Sequence, residues 1–240
     1  VSIVVALADK IDTLTSFWSI SEKPTGSKDP FALRRSALGL IRIIIENDIR
    51  ISLSDILALG NDGADIKDLK YFIHQRMKVF LRDQSLRHDL IDACLSLDEG
   101  DDLALSVKKS IALMDFIKTS DGSNLIQGFK RANNILLQAE QNDGVEYSYG
   151  ADLKYAEEDA ERNLFYALDS EEVKIRSAVE KEDFVEAMNS MAKLRTPIDS
   201  FFETVQINSD VDVIRRNRLN LLSRICKLCL SVADLTKVEG

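Results

Sequence analysis

The sequence predicts an all-α protein. Apolar residues recur at spacings of three and four along nearly the whole chain, whereas alternating runs of Val, Ile, Thr and aromatic residues are almost absent. Only three prolines and ten glycines interrupt the 240 residues. An apolar share of 45% can form a substantial core, so the length suits one large helical domain or two ordinary ones.

Composition also restricts the class of protein. The chain has no run of about 18 apolar residues that could span a bilayer. Its first stretch, VSIVVALADKIDTL, lacks the features of a secretory signal, and because it starts with Val1 we expect it to begin inside a domain. Three widely placed cysteines suit a reducing compartment. We therefore expect a soluble, cytoplasmic protein.

The first clear helix start lies in KPTGSKDPFALRR, residues 23–35. Asp29 is predicted to cap a helix that has Pro30 in its first turn and ends near Asn47. Helical spacing gives this helix an apolar stripe. The stripe consists of Leu33, Ala37, Leu40, Ile41 and Ile44.

Basic residues surround this helix start, although the chain has a net charge of −9. They could contact an RNA backbone, or they could form a solvated or ion-paired flank. Both interpretations stay open from the residues alone. The set comprises Lys23, Lys28, Arg34, Arg35 and Arg42.

Three glycine-containing stretches are typical of turns. They are ALGNDGADI at 58–66, TSDGSN at 119–124 and QNDGVEYSYG at 141–150. We divide the chain near residue 123, which gives two helical parts, 1–123 and 124–240.

A second candidate site lies in LIQGFKRANNIL, residues 125–136. Leu125, Phe129, Ala132 and Leu136 form its predicted buried face. Lys130, Arg131 and Asn134 fall within about 100° of one another on another side. Two cations beside an amide suit a phosphate and a base edge, although such a face can also simply be solvated.

The last helices carry further basic residues. Thr196 is predicted to cap a helix with Pro197 in first position. In 211–235, Arg216, Arg224 and Lys227 share one face. The opposite, buried stripe comprises Ile214, Leu221, Leu222, Ile225, Cys229 and Val232.

Arg218 falls in the middle of that apolar stripe. A buried guanidinium there requires an ion-pair partner, and Asp199 is one possibility. A structural ion pair is therefore favoured over direct ligand contact for Arg218.

No catalytic or metal site is predicted. Cys226 and Cys229 have half the spacing of a zinc site, but both lie in a helical stripe and only Cys94, His74 and His88 remain as ligands. We interpret the cysteines as small core residues. The sequence also lacks an assembled nucleophile and base and a glycine-rich phosphate loop.

Charge does not exclude a nucleic-acid partner. Residues 140–186 hold 15 acids against 5 bases, whereas residues 193–227 hold 7 bases against 4 acids. Because electrostatic attraction is screened over about 10 Å, a local basic face can bind phosphates on an acidic protein.

Several segments together resemble the C-terminal region of the bacterial glycyl-tRNA synthetase β-subunit. They occur in the same order along the whole chain, and GSKDPFALRR and RTPIDSFF are specific to the family. The segments are LADKID (7–12), KPTGSKDPFALRR (23–35), FKRANNIL (129–136), LRTPIDSFFETVQI (194–207) and IRRNRLNLLSRI with VADL (214–225, 232–235).

The resemblance implies two domains. Residues 1–123 would hold the end of an HD-type helical domain, in which Asp9 matches a late aspartate, and connecting helices. The metal-binding histidines of such a domain would lie upstream, so a hydrolase is a weak third interpretation. Residues 124–240 would form a DALR-like anticodon-binding helical domain.

The resemblance also implies function. The α-subunit would carry aminoacylation with ATP and Mg²⁺, in a hetero-tetramer of two α and two β subunits. This chain would bind glycine tRNA. It would need no cofactor of its own and would not associate with a membrane. We expect the tRNA-binding residues to be Lys130, Arg131, Asn134, Arg195, Arg216, Arg224 and Lys227. The alternative is a helical scaffold that docks other parts of the synthetase, with its basic edges used in internal ion pairs.

Overall fold

The computed structural model describes residues 1–60, 63–96 and 101–239 and confirms the all-α class. Its described residues contain no β-strand, and an isolated bridge pairs Thr25 with Lys28. Within the described ranges, no helix combines the length and the apolar character that a membrane span requires. The chain divides into two compact units, Val1–Ser110 and Ile111–Gly240.

In its described residues, the first unit consists of helices joined by turns and loops. α1 packs on α2, and α2 and α3 both pack on α4. The last helix of this unit, α6, continues past Ser110, so the structural division lies within a helix. The helices are α1 (Ser2–Ser19), α2 (Leu33–Glu46), α3 (Leu53–Ala58), α4 (Ile66–Asp83), α5 (His88–Leu95) and α6 (Leu103–Ile117).

The start of α2 shows how Asp29 acts. Its carboxylate accepts the backbone N–H groups of Leu33, at 2.8 Å, and Arg34, at 3.0 Å. The helix begins at Leu33 rather than Pro30, because Ala32 adopts a left-handed conformation with φ of 56°. All five residues of the predicted apolar stripe are buried.

The second unit is organised around its longest helix, α7. α7 packs against α9, α10 and α11, while α8 packs against α9, α10 and α11. Phe129 of α7 and Phe201 of α10 are fully buried. The helices are α7 (Ser120–Asp143), α8 (Asp159–Glu180), α9 (Phe184–Ala192), α10 (Arg195–Thr204) and α11 (Asp212–Leu230), with 3-10 turns at Leu153–Tyr155 and Leu235–Lys237.

The stretch 119–124 starts α7 and is not a break before it. Thr119 accepts the N–H of Gly122 at 3.0 Å as the N-cap, so the sequence-based division near residue 123 falls in the first turn of α7. Gly122 is needed there because a Cβ would lie 2.1 Å from the carbonyl oxygen of Phe116. At the other end, Gly144 closes α7 with φ of 65°, as expected for the stretch 141–150.

The predicted cap of α10 is wrong. Leu194 already has helical backbone angles, with φ of −77° and ψ of −15°, and the helix begins at Arg195. Thr196 is therefore inside the first turn, where its side chain makes no cap. By contrast, the buried faces predicted for α7 and α11 are confirmed in full.

Candidate nucleic-acid interface

Arg218 forms the predicted buried ion pair, but with a different partner. Its Nε donates to Oε1 of Glu161 at 2.9 Å, and its Nη1 donates to the carbonyl of Gln206 at 2.9 Å. Asp199, the partner suggested by sequence, lies instead 3.5 Å from Arg195. The reason is that the start of α8 packs on α11 and places Glu161 in this position.

Glu161 is fully buried and remains an acceptor for several donors. It accepts the backbone N–H groups of Glu157 and Glu158, each at 2.9 Å, in addition to the guanidinium. Burial raises the pKa of Glu161, but the hydrogen bonds from Arg218 and from the two N–H groups outweigh it and leave the pKa below its ordinary value. The pair is therefore a charged structural link among α8, α11 and the segment Val205–Asn208.

Lys130 and Arg131 of α7 point towards different neighbours. The Lys130 ammonium donates to the carbonyl of Val238, near the end of the chain. The Arg131 guanidinium lies over the ring of Phe202 in α10, 4.4 Å from its centroid. Asn134 is exposed. The three residues thus do not form a single cluster, although all three side chains are at least partly exposed.

A polar groove opens beside Arg131, and we call it the Arg131 groove. Its volume is about 470 Å³. α7, α10, the segment Val205–Asn208 and Arg215 of α11 form its walls, and none of its lining residues is acidic. The lining residues are Arg131, Ile135, Gln138, Ala139, Asn142, Phe202, Val205, Gln206, Ile207, Asn208 and Arg215.

A smaller hollow of about 300 Å³ lies on the other side of Arg131. Gly128 is one of its walls, and α10 comes close to α7 here, because a Cβ on Gly128 would lie 3.0 Å from Ile198. The other lining residues are Asn124, Gln127, Arg131 and Asp199.

Sequence reasoning missed most of the groove. Phe202 was assigned no role, and the amides of Gln138 and Asn142 were not connected with Arg131. The sequence nevertheless contained an indication of this face, because five polar residues of α7 fall within about 60° of one another at 100° per residue. They are Asn124, Gln127, Arg131, Gln138 and Asn142.

Arg195 is held by carboxylates. Its Nη1 lies 2.5 Å from Asp121, and its Nε lies 3.5 Å from Asp199. The hydrogen bond with Asp121 raises the pKa of Arg195 above its ordinary value. An RNA phosphate would have to compete with these two acids.

The basic residues of α11 have mixed surroundings. Arg224 pairs with Asp169 at 2.7 Å and Glu172 at 3.1 Å, and Lys227 lies 3.4 Å from the carbonyl of Ser148. Arg224 and Lys227 line a groove of about 430 Å³ that also exposes Glu172 and Glu180. Arg216 is exposed and lies outside the residues that line this groove.

The basic segment of the first unit is largely bonded to its own surroundings. Lys23 pairs with Asp68 at 2.8 Å, and Arg34 donates to the carbonyl of Gly26 at 2.7 Å. Arg42 lies over the ring of Phe80, 5.6 Å from its centroid. Lys28, Arg35 and Arg42 are exposed, so these three could meet a ligand without breaking the Lys23–Asp68 ion pair or the Arg34–Gly26 hydrogen bond.

The cysteines have the surroundings of core residues. All three are free thiols and buried, and burial raises the pKa of Cys94 to about 11 and that of Cys226 to about 12. Among the residues that the structure describes, no group of three or more His, Cys, Asp or Glu side chains could hold a metal ion.

Two known families match separate parts of the chain. Residues 1–96 match the family described as "Glycyl-tRNA synthetase beta subunit". Residues 125–239 match the "DALR anticodon binding domain". The second match lies within the unit Ile111–Gly240 and includes α8 to α11, most of α7 and the Arg131 groove.

Similar proteins match the whole chain. The glycine–tRNA ligase β subunit of Ruegeria sp. (strain TM1040) is 62% identical over 240 residues, and that of Paracoccus denitrificans (strain Pd 1222) is 60% identical over 240 residues. The β subunit of Cereibacter sphaeroides (strain ATCC 17023) is 59% identical over 251 residues. The alignments cover 100% of this chain but 35%, 35% and 36% of those proteins, about a third of their length.

Proposed function

We propose that the chain is part of a glycyl-tRNA synthetase β-subunit and supplies tRNA binding to a glycine–tRNA ligase, because residues 1–96 match that family and relatives 59–62% identical over the whole chain are β subunits of this enzyme. The unit Ile111–Gly240 would hold the anticodon arm of glycine tRNA. The match of residues 125–239 to an anticodon-binding domain supports this assignment. Residues 1–123, the proposed end of an HD-type domain with connecting helices, would support that unit.

The Arg131 groove is the observation that carries the proposal. It lies on the matched domain, it contains exposed amides, and its lining residues include two arginines and no acid. Within the described residues, no carboxylate is ion-paired with Arg131, although the chain has 40 acidic residues. RNA-binding proteins recognise unpaired bases with such guanidinium planes, aromatic rings and polar side chains.

The chemical step would belong to another subunit. We propose that the α-subunit joins glycine to the tRNA with ATP and Mg²⁺, in a cytoplasmic hetero-tetramer of two α and two β subunits. This chain would then contribute binding energy and orientation for the tRNA. Its described residues offer neither a metal cluster nor a reactive, exposed thiol to such a reaction.

A helical scaffold remains the second candidate function. The observation that favours it is the internal use of basic side chains: Arg195 and Arg224 each pair with two carboxylates, and Lys130 donates to a backbone carbonyl. These three residues are explained by stability alone. The Arg131 guanidinium instead lies over the Phe202 ring and pairs with no carboxylate among the described residues, so Arg131 is the residue on which the two functions give different expectations.

Single substitutions of Lys130 and Arg131 test the proposal. Binding of a glycine tRNA transcript to the 240-residue chain would be measured at low and moderate salt. We expect Arg131→Ala to weaken binding about tenfold or more, the loss of one charged contact, whereas Lys130→Ala has a smaller effect. Arg176→Ala, which removes an exposed arginine paired with Glu172, is the matched control.

The opposite outcome would favour the scaffold. If Arg131→Ala binds the transcript as tightly as the unchanged chain at both salt concentrations, the groove is not an RNA site. Far-ultraviolet circular dichroism should show unchanged helical content in all three variants, because each side chain lies outside the buried face of its helix.

A further inference from the structure

We propose that the Arg131 groove holds one unpaired RNA base, which stacks on the Arg131–Phe202 pair and is read at its edge by Gln138, Asn142 and Asn208. This inference rests on the proposed tRNA binding and makes it specific, because it names the part of the RNA that is bound. It assigns roles to Phe202, Gln138, Asn142 and Asn208, none of which was a candidate site residue in the sequence.

The stacking platform is fixed by the core. The Phe202 ring packs edge-on against Phe201, with centroids 5.7 Å apart and an interplanar angle of 69°, and Phe201 is fully buried. Arg131 lies against the half-exposed Phe202 at 4.4 Å. A flat base can stack on such a guanidinium and aromatic pair, which contributes about 1–3 kcal/mol per base in single-strand binding proteins.

The edge readers are exposed amides. Gln138 and Asn142 follow Arg131 on the same face of α7, and Asn208 faces them from the segment after α10. An amide side chain offers both donors and an acceptor, so it can match a base edge without a charge. Carboxylates, which would repel the sugar-phosphate backbone, do not occur among the lining residues of the groove.

The wall that carries Asn208 is held in place before any ligand arrives. Arg218 donates to the carbonyl of Gln206 at 2.9 Å, and Arg215 donates to Oδ1 of Asn208 at 3.3 Å. Arg215 is itself fixed by Asp143 at 2.8 Å. A pre-organised wall loses little conformational entropy on binding, which favours recognition of a single base.

The size of the groove agrees with one base and its sugar. Its volume of about 470 Å³ lies within the range of about 300–1,000 Å³ found for small-molecule sites. The groove lined by Arg224 and Lys227 has a similar volume, about 430 Å³, but exposes Glu172 and Glu180. We therefore place the base in the Arg131 groove and not beside Arg224.

An abasic scan tests the inference. The probe is a fluorescent RNA hairpin with the anticodon stem and loop of glycine tRNA, and each loop nucleotide in turn is made abasic. Binding to the 240-residue chain is followed by anisotropy. We expect one abasic position to weaken binding by about 5- to 150-fold, the loss of one stacked base.

Variants identify the groove as the place where that base binds. Phe202→Leu keeps an apolar side chain but removes the ring, and Asn142→Ala removes an exposed amide. Both should weaken hairpin binding, and in Phe202→Leu the sensitive abasic position should have little further effect. The matched controls are Tyr166→Leu and Asn189→Ala, an exposed tyrosine on α8 and an exposed asparagine on α9.

The outcomes separate this inference from the proposed function. If the tRNA transcript binds and Arg131→Ala weakens it, while Phe202→Leu and Asn142→Ala bind the hairpin normally, the groove contacts only the backbone and the inference is wrong. The inference is also wrong if the sensitive abasic position weakens hairpin binding by Phe202→Leu as much as it weakens binding by the unchanged chain. If the unchanged chain binds neither RNA, the proposed function itself fails.

Discussion

Arg218 and Glu161 join three segments of the second unit at one buried point. The guanidinium is 5% exposed and the carboxylate is fully buried, so neither charge is solvated by bulk water. Their mutual hydrogen bonds, together with those to Gln206 and to the N-terminal N–H groups of α8, replace that solvation. Removing one partner would leave the other charge buried and uncompensated.

Replacement of Arg218 should therefore be costly. We expect Arg218→Met to lower the free energy of unfolding by about 3–5 kcal/mol, because Glu161 loses its counter-charge. Urea denaturation followed by circular dichroism would measure the change. Arg216→Met, an exposed arginine two positions away on α11, is the control and should change stability by no more than about 0.5 kcal/mol. Equal stability of the two variants would contradict this account of the pair.

The same pair predicts a dependence on pH. Because the pKa of Glu161 is lower in the folded protein than its ordinary 4.5, the ionised form stabilises the fold above that pH, and the contribution is lost as pH falls through the folded pKa. Glu161→Gln should therefore be less stable than the unchanged chain at pH 7, and the difference should shrink below about pH 4. Denaturation curves at pH 7 and below about pH 4 give the comparison. The same stability difference between Glu161→Gln and the unchanged chain in both conditions would show that Glu161 does not titrate in this way.

Arg218 also shows what sequence can and cannot predict about a single residue. Its angular position in an apolar stripe predicted burial and a paired charge, and both are confirmed. Its partner could not be predicted, because Glu161 is 57 positions away and reaches Arg218 only through the packing of α8 on α11. Helical periodicity determines the face of a residue but does not identify the element opposite it.

At the scale of an element, α7 shows the same difference between what the sequence predicts and what it does not. Its buried face, Leu125, Phe129, Ala132 and Leu136, followed directly from helical spacing, and its end followed from Gly144. Its start did not, because glycine and serine usually indicate a turn, whereas here Thr119 caps a helix. The groove wall was not predicted for a related reason, since exposed amides can be recognised as part of a site only when the element that packs opposite them is known.

Gly122 makes the start of α7 testable. We expect Gly122→Ala to lower the free energy of unfolding by about 1–3 kcal/mol, because the new Cβ would lie 2.1 Å from the Phe116 carbonyl and the backbone must shift. Helix propensity acts in the opposite direction, by about 1 kcal/mol, so a net loss would show that close packing dominates. Ser123→Ala, an exposed neighbour, is the control. Thermal unfolding that is unchanged or raised in Gly122→Ala would contradict the close approach.

Across the whole chain, acidic residues outnumber basic ones by 40 to 31. Many basic side chains are already bound to acids or carbonyls, including Arg195, Arg224 and Lys130. Composition could therefore not show which cations are available to RNA. The structure leaves few of them beside the Arg131 groove, so we expect binding that depends on shape and stacking more than on charge.

The salt dependence of tRNA binding measures how much of the affinity comes from charge. With about two to four phosphate contacts, each releasing about 0.7–0.9 counterions, a plot of log K against log salt concentration should have a slope of about −1.5 to −3.5. Arg131→Ala should reduce its magnitude by about one if the guanidinium also meets a phosphate, whereas Arg176→Ala should leave it unchanged. Titrations of a glycine tRNA transcript between about 50 and 200 mM salt would determine the slope. A slope steeper than about −6 would mean that the ion-paired arginines release their carboxylates and contact the RNA.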